Sequence, residues 1–534
     1  MAGCSGLIIF SDPADVAGEG QDLDTDVYPH TMFLPDTGIQ RGSLLLTDGD
    51  PQTPNWPSLE HTERLSIDEL VAQGLLPKIP CQAIGYRGAK ELMKHLGGTS
   101  VPKTWIGGLS GVEYFIGGDF KAECGEECNV RIVTNNILET KQSPNVMGYI
   151  RGSHEPDRYV MIGNHRDAWG YGALDPSSGT TQMLEIARIL GAKLANGWRP
   201  RRTIVFLSWG SEEFGLIGSR EFVEDFRRKL IERGVVYINS DTAVSGPIMW
   251  AEASPTISHK VVEAAKKVPY KNHDSYYDFW KQWLDLDQDP EIWIPGAGSD
   301  HASFIFHAGI PVMDFGFSPD TKLHPSVANI GYPTYHTAYE TFQLMTDIVD
   351  PNFEMLSVST KITLSIVRDF AEKPILDFNL RGYQPTMEAF KTDPEIAQLE
   401  NLGIKTEYFL SALDTFQNAT ENWTERFEQD LEDLQNHPLL AKAINDQMMN
   451  LDKNFLLDVG LPGRTIYSHA IMSPSQFDSY GSGYFPGISD TLYDFDSQDQ
   501  TEQERRKAVL KKHLSDLMIV ILRACDHLKP LDRL

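Results

Sequence analysis

Thr203-Ile-Val-Phe-Leu-Ser-Trp209 runs directly into Gly210-Ser211-Glu212-Glu213. The first part is β-branched or apolar almost throughout, as in a strand covered on both faces. The second part is polar. Two other segments repeat the pattern: Tyr159–Gly163 (YVMIG) leads into Asn164-His165-Arg166-Asp167, and Val235–Asn239 (VVYIN) into Ser240-Asp241. Helical patterns at Thr181–Leu194 and Arg220–Arg233 separate them, so strand and helix alternate as in an α/β domain. Ligands of such sheets collect beyond the carboxyl ends of the strands, which is where these polar residues fall.

His165, Glu213 and Asp241 are residue types that zinc accepts. Asp175, in Leu-Asp-Pro-Ser-Ser-Gly just before a helix, is suited to bridge two cations. His336 follows Tyr335 in a Gly/Pro/Tyr-rich loop beyond Ile310–Phe317 (IPVMDFGF). The set predicts two zinc ions, one on Asp175, Glu213 and His336, the other on His165, Asp175 and Asp241. A water held between them would lose a proton near neutral pH and become the nucleophile. Glu212, adjacent to a ligand but free itself, is the candidate general base, and Asp167 the candidate orienter of His165. Each residue alone has a plainer reading, since a strand-end Asp or His is usually a cap and a Glu-Glu pair usually opens a solvated helix. Their recurrence at successive strand ends of one block favours the metal reading.

The 534 residues suggest several domains, and 41% hydrophobic content marks a globular chain. With 47 Lys+Arg against 75 Asp+Glu the net charge is −28, a field that repels nucleic acid. No apolar run is long enough to span a bilayer; Leu517–Leu522 (LMIVIL) reads as a buried helix face. No basic residue precedes the early LIIF run, so the start reads as a strand entering a turn and not as a signal peptide. Residues 1–140 predict a β-rich domain with long loops, 141–373 the α/β domain, and 374–534 a helical domain with low-order loops near Tyr480–Asp496. Helical periodicity covers Leu399–Phe416, Thr424–Leu434 and Glu502–Leu528. Cys124 and Cys128 leave a disulfide, two thiols or half a metal site open. Asn418 and Asn422 stand in glycosylation sequons.

The segments NHRDAWGYGALDPSSG, LSWGSEEFGLIGSREF, INSD and YPTYHTAYET resemble the M28 metallopeptidases of the glutamate carboxypeptidase and transferrin receptor group. GWRPRRTI, NDQMMNLDKNFL and FPGISDTLYDFDS extend the resemblance along the chain. It implies a protease-associated domain, a two-zinc peptidase domain with a mixed, mostly parallel sheet, and a helical domain through which the chain forms a homodimer. The ligands above and Glu212 as base carry over, with Tyr335 as a donor to the tetrahedral intermediate. A structural calcium ion would be held by Glu221 and Glu224 with main-chain oxygens of Thr53 and Trp56. The family's usual setting is the extracellular face of the plasma membrane behind a type II anchor. This sequence, which matches from inside the protease-associated domain, is expected to be soluble as it stands.

Glutamate carboxypeptidases of the group grip substrate carboxylates with arginines and a lysine. The corresponding residues here are Ala251, Asp314, Gly316 and Ser479, none of them cationic, while Ser299 stands for an asparagine and Tyr480 is kept. A carboxylate buried without a partner is costly, so this pocket disfavours a terminal glutamate. GAGSD and IPVMDF resemble the NAALADase-like 1 branch, which implies a broad aminopeptidase. Asp300 or Asp314 would then meet the substrate's free ammonium. A glutamate carboxypeptidase and a non-catalytic, transferrin receptor-like binding protein are the competing readings.

Overall fold

The computed structural model describes residues 3–18, 25–44, 46–124, 128–478 and 480–530. Its centre is a six-stranded sheet of β1 (Val146–Ile150), β2 (Glu155–His165), β3 (Arg202–Trp209), β4 (Gly234–Asn239), β5 (Ile248–Ala253) and β6 (Val312–Ser318). The spatial order is β1-β3-β2-β4-β6-β5. Parallel pairing joins β3, β2, β4 and β6, and the antiparallel β1 and β5 close the edges. From β2 the chain passes to β3 on one side and then to β4 on the other. The crevice of this order reversal opens at the end of β2, at His165.

Every residue of β4 is buried, which requires cover on both faces. The cover comes from α1 (Ser177–Ala195), α2 (Ile217–Arg233) and α3 (Glu354–Glu372). α1 and α3 pack on each other and on the sheet. α2 sets Phe222 against Trp209, and Phe304 stacks on Tyr237 with ring centroids 3.9 Å apart. Gly179, in the first turn of α1, lies so close to the main-chain oxygens of Ser240 and Asp241 that a Cβ would come within 2.0 and 2.1 Å of them. Its lack of a side chain lets α1 seat the loop that carries Asp241.

Residues 1–140 depart from the β-rich expectation. The strands among the described residues are short: Leu7–Ile9 pairs with Cys81–Ala83, and Thr99–Ser100 with Phe115–Ile116. Val16, Leu34, Tyr86, Ala89 and Leu109 form a small core, whereas Val27, Met32 and Phe33 join the main one. The apolar runs here are too brief to bury a sheet face, so part of this stretch wraps the α/β block. The amides of Arg41 and Gly49 donate to the main-chain oxygens of His336 and Gly215.

Beyond residue 374 the chain is largely helical, with α4 (Glu407–Asn436), α5 (Pro438–Met449) and α6 (Gln500–His527). The run expected from Leu399 to Phe416 is broken by Gly403, whose φ of 70° ends one helix before α4 begins. Tyr480–Asp496 is more ordered than expected: Ser482–Tyr484 pairs with Met472–Pro474, and Pro486–Leu492 is helical because Phe485 and Ile488 are fully buried. In α6, Leu517, Val520 and Ile521 face the core and Ile519 faces solvent. No helix among the described residues is long and apolar enough to cross a membrane. Cys124 and Cys128 form a disulfide, and Asn418 and Asn422 are exposed on α4.

Candidate metal centre and active site

The five expected ligands converge at the carboxyl end of the sheet. Nε2 of His165 lies 3.1 Å from Oδ1 of Asp241 and 3.3 Å from Oδ1 of Asp175. Nε2 of His336 lies 3.2 Å from Oδ2 of Asp175 and 3.2 Å from Oε2 of Glu213. The two oxygens of Asp175 thus serve two imidazoles, the geometry of a bridging carboxylate. Zinc bound at about 2.0 Å in a tetrahedron sets its ligands about 3.3 Å apart, which these spacings match. Oδ1 of Asp175 is buried and has no hydrogen-bond donor, as befits an atom reserved for a cation. The residues fit zinc on both sides of Asp175.

Main-chain oxygens aim the imidazoles. Nδ1 of His165 lies 3.0 Å from the carbonyl of Asp167, and Nδ1 of His336 lies 3.0 Å from that of Arg41, so each Nε2 faces the carboxylates. Asp167 thus meets His165 through its main-chain oxygen and not its side chain. Its carboxylate stands 3.8 Å from His165 and accepts the amides of Glu212 and Glu213, at 3.1 and 3.2 Å. Those amides open the turn ahead of α2 and lack helical partners, so a nearby carboxylate satisfies them. Asp167 therefore also fixes the backbone of Glu212 and Glu213.

Asp241 is held by a buried hydrogen-bond chain. Nε1 of Trp209 donates to the hydroxyl of Tyr237 at 2.9 Å, which donates to Oδ1 of Asn239 at 3.0 Å. Nδ2 of Asn239 donates to Oγ of Ser299 at 3.0 Å, and Ser299 donates to Oδ2 of Asp241. Ser299, expected on the substrate, thus holds the carboxylate of Asp241. Asp300, also expected at the substrate, is wholly buried.

The electrostatics express an excess of buried negative charge. Burial pushes Glu212 well above the usual carboxylate range, and Asp241, Asp300 and Asp175 add to this against the opposing charge of His165. Burial and Asp175 raise Glu213 to about 8, and burial raises Asp300 to about 7. For His165 burial favours the neutral ring, but Asp241, Glu212 and Asp175 outweigh it and hold it well above its usual value. Divalent cations are the natural counter-charge for such a cluster.

Beside the centre, Glu252, His301 and Asp314 form a second group. Nε2 of His301 lies 2.9 Å from Oε1 of Glu252 and Nδ1 lies 3.5 Å from Oδ2 of Asp314. The two carboxylates meet opposite ring nitrogens, which suits an imidazolium and not one shared metal ion. Asp314, expected at the substrate, is buried and clasped by His301; Glu252 is the more open carboxylate of the group. Tyr480 is 68% exposed and its ring closes over Gly298. Tyr335 stacks on His336 at 3.6 Å and shares a hydrogen bond with Tyr480. Ala251 and Gly316 lie on the paired strands β5 and β6, and Ser479 lies outside the described residues.

The calcium candidates lie apart from this centre. Oε1 of Glu221 accepts the amide of Asp50 at 2.7 Å and Oε2 that of Ser58. Oε1 of Glu224 pairs with Arg220 at 2.7 Å, and its Oε2 is buried without a hydrogen-bond partner. Thr53 and Trp56 lie in the loop so held, where the Thr53 carbonyl accepts the Trp56 amide at 3.0 Å. Residues that the sequence reading did not single out are Glu252, His301, Asn239 and Glu340. Only their neighbours in space distinguish them from ordinary polar residues.

Known proteins resemble the chain in both its α/β and its helical part. Residues 145–357 match the model of peptidase family M28, and residues 398–529 that of the transferrin receptor-like dimerisation domain. The chain is 38% identical over 506 residues to Aminopeptidase NAALADL1 of Rattus norvegicus, covering 91% of this chain and 66% of the relative. It is 35% identical over 527 residues to a Glutamate carboxypeptidase 2 homolog of Caenorhabditis briggsae, covering 93% of this chain and 67% of the relative. BSAP, a zinc aminopeptidase from Bacillus subtilis, aligns over 43% of this chain and 50% of its own at 23% identity, with a TM-score of 0.32. The chain thus spans about two thirds of the curated relatives it matches. By its matched domains and its relatives, the chain belongs to the metallopeptidases of family M28.

Proposed function

We propose that this protein is a co-catalytic two-zinc exopeptidase that removes N-terminal residues from peptides with broad specificity. The observation that carries the reading is Asp175, whose two oxygens face two separate imidazoles while Glu212 stands beside them, 3.9 Å from Nε2 of His165. When bound, zinc supplies Lewis acidity to the scissile carbonyl and the attacking water. His165, Asp175 and Asp241 hold one ion, and Asp175, Glu213 and His336 the other. Glu212 accepts the water's proton on its carboxylate and delivers it to the leaving amine. Tyr335 donates its hydroxyl to the oxygen on which charge develops.

The amino-terminal direction is supported by the absence of cations at Ala251, Asp314 and Gly316 and by the acidic Glu252–His301–Asp314 group. The name of the Caenorhabditis briggsae relative favours a second reading, a glutamate carboxypeptidase acting on acidic dipeptides or folylpolyglutamates. The retained ligands and Glu212 speak against a non-catalytic receptor. We further read residues 1–140 as a partial protease-associated domain, 141–373 as the peptidase domain and 374–534 as the segment of homodimerisation. In this reading Glu221, Glu224 and the carbonyls of Thr53 and Trp56 hold one calcium ion, Asn418 and Asn422 carry glycans, and the whole protein works at the extracellular face of the plasma membrane. One experiment tests the direction. The zinc-loaded chain is incubated with a free peptide, its N-acetylated form and its C-terminal amide. Release from the free and amidated forms alone is expected; cleavage of the acetylated but not the amidated form overturns the aminopeptidase reading.

A further inference from the structure

Glu340 lies four residues beyond His336, and its side chain is buried with 1% exposure. Its Oε1 accepts the amides of Leu174 and Asp175 at 3.1 and 2.5 Å, and its Oε2 accepts the amide of His336 at 3.3 Å. Its main-chain oxygen accepts the amide of Ala173 at 3.1 Å. One carboxylate therefore ties the turn of the bridging Asp175 to the loop of His336. The two loops meet closely elsewhere, since a Cβ on Gly170 would come within 3.2 Å of the Thr337 carbonyl. On the other side Asn164 joins the turn of Asp175 to the loops of His165 and Asp241, its Nδ2 donating to the carbonyls of Pro176 at 3.4 Å and Ser240 at 2.6 Å. Those ligands stand at the ends of β2 and β4, whose spacing the sheet itself maintains. His336 belongs to no strand, and its backbone is held in the left-handed region at φ 56°. Such a conformation in a non-glycine residue persists only where its surroundings enforce it.

We infer that Glu340 is a positioning residue that sets the affinity of one metal position selectively, the one formed by Asp175, Glu213 and His336. The inference rests on the two-zinc reading. A carboxylate is required because it accepts on both oxygens, whereas an amide's NH2 end faces an N–H with another donor and releases one loop. The effect should follow the pattern of groups that orient metal ligands, a loss of about 10- to 100-fold in affinity.

The test is zinc binding to the full chain, measured as metal per chain against a graded zinc chelator. The unsubstituted protein should hold two ions. Glu340→Gln should keep one of unchanged affinity and bind the other about 10- to 100-fold more weakly. In a His336→Ala background, which already lacks that position, Glu340→Gln should leave the remaining ion unchanged. Glu340→Asp, which keeps the charge but is too short to reach both loops, should reproduce the selective loss if the Gln variant does not fold. Two ions of unchanged affinity in both variants overturn the role of Glu340 alone. Equal weakening of both ions also overturns it, because a general loosening of the fold would act on both. Fewer than two ions in the unsubstituted chain overturn the two-zinc reading itself, and this inference with it.

Discussion

The smallest informative unit is the pair Glu212-Glu213, two like residues with different neighbours. Glu213 turns its carboxylate to His336, while Glu212 stays near His165 without becoming part of the bridged set. Both amides are tied to Asp167, so the pair's direction is fixed by the backbone. Glu212→Gln removes the proton acceptor but preserves size and leaves the ligands in place. The expected result is a fall in kcat of about 10²- to 10⁴-fold with zinc content unchanged, measured by steady-state kinetics and metal analysis on the same sample. Retained activity at full zinc occupancy would remove Glu212 from the role of base.

At the scale of elements, the segment Gly296–His301 connects parts that are distant in sequence. Ser299 reaches Asp241 at the end of β4, and His301 reaches Glu252 on β5 and Asp314 on β6. Burial disfavours the charged His301 ring, yet Glu252 and Asp314 raise it to about 9. A raised histidine stabilises the fold fully below its unfolded value of about 6.5, and that contribution is lost as pH climbs through the folded value near 9. His301→Gln should therefore lower Tm most at pH 6, and the gap to the unsubstituted protein should close between pH 6.5 and 9. Melting curves across that range check it; a gap independent of pH would mean that the ring is uncharged.

For the whole molecule, the α/β block and the helical segment are one connected core, with Phe306 and Tyr467 in edge contact and Lys453 donating to the Gly234 carbonyl at 2.9 Å. The helical side also leaves apolar residues in solvent, with Leu439 at 86% and Leu440 at 41% exposure near the α4–α5 corner. These adjacent exposed leucines lie in the segment matched to a dimerisation domain, and an apolar patch of this kind suits a protein contact. The chain should sediment as a dimer at micromolar concentration, and the joint replacement of Leu439 and Leu440 by Asp should shift it towards monomer without unfolding it. A dimer unaffected by that change would put the contact elsewhere.

The sequence by itself determined the sheet's core strands, the helices between them and the acidic and histidine residues that converge at its carboxyl end. Short β-branched apolar runs between helical patterns suit doubly covered strands, and strand ends are where an α/β fold presents polar groups. His165, Asp175, Glu212, Glu213, Asp241 and His336 were legible because each interrupts or follows such a pattern. The early segment and the Tyr480–Asp496 stretch were not, because weakly periodic segments take their order from the surfaces they meet. Only the tertiary structure decided that Asp167 serves the amides of Glu212 and Glu213, that Ser299 serves Asp241, and that Asp300 and Asp314 are buried away from solvent. It likewise brought Glu340 between Asp175 and His336. Hydrogen bonds across such separations leave no periodic trace along the chain, since a buried carboxylate and a solvated one are written with the same residue.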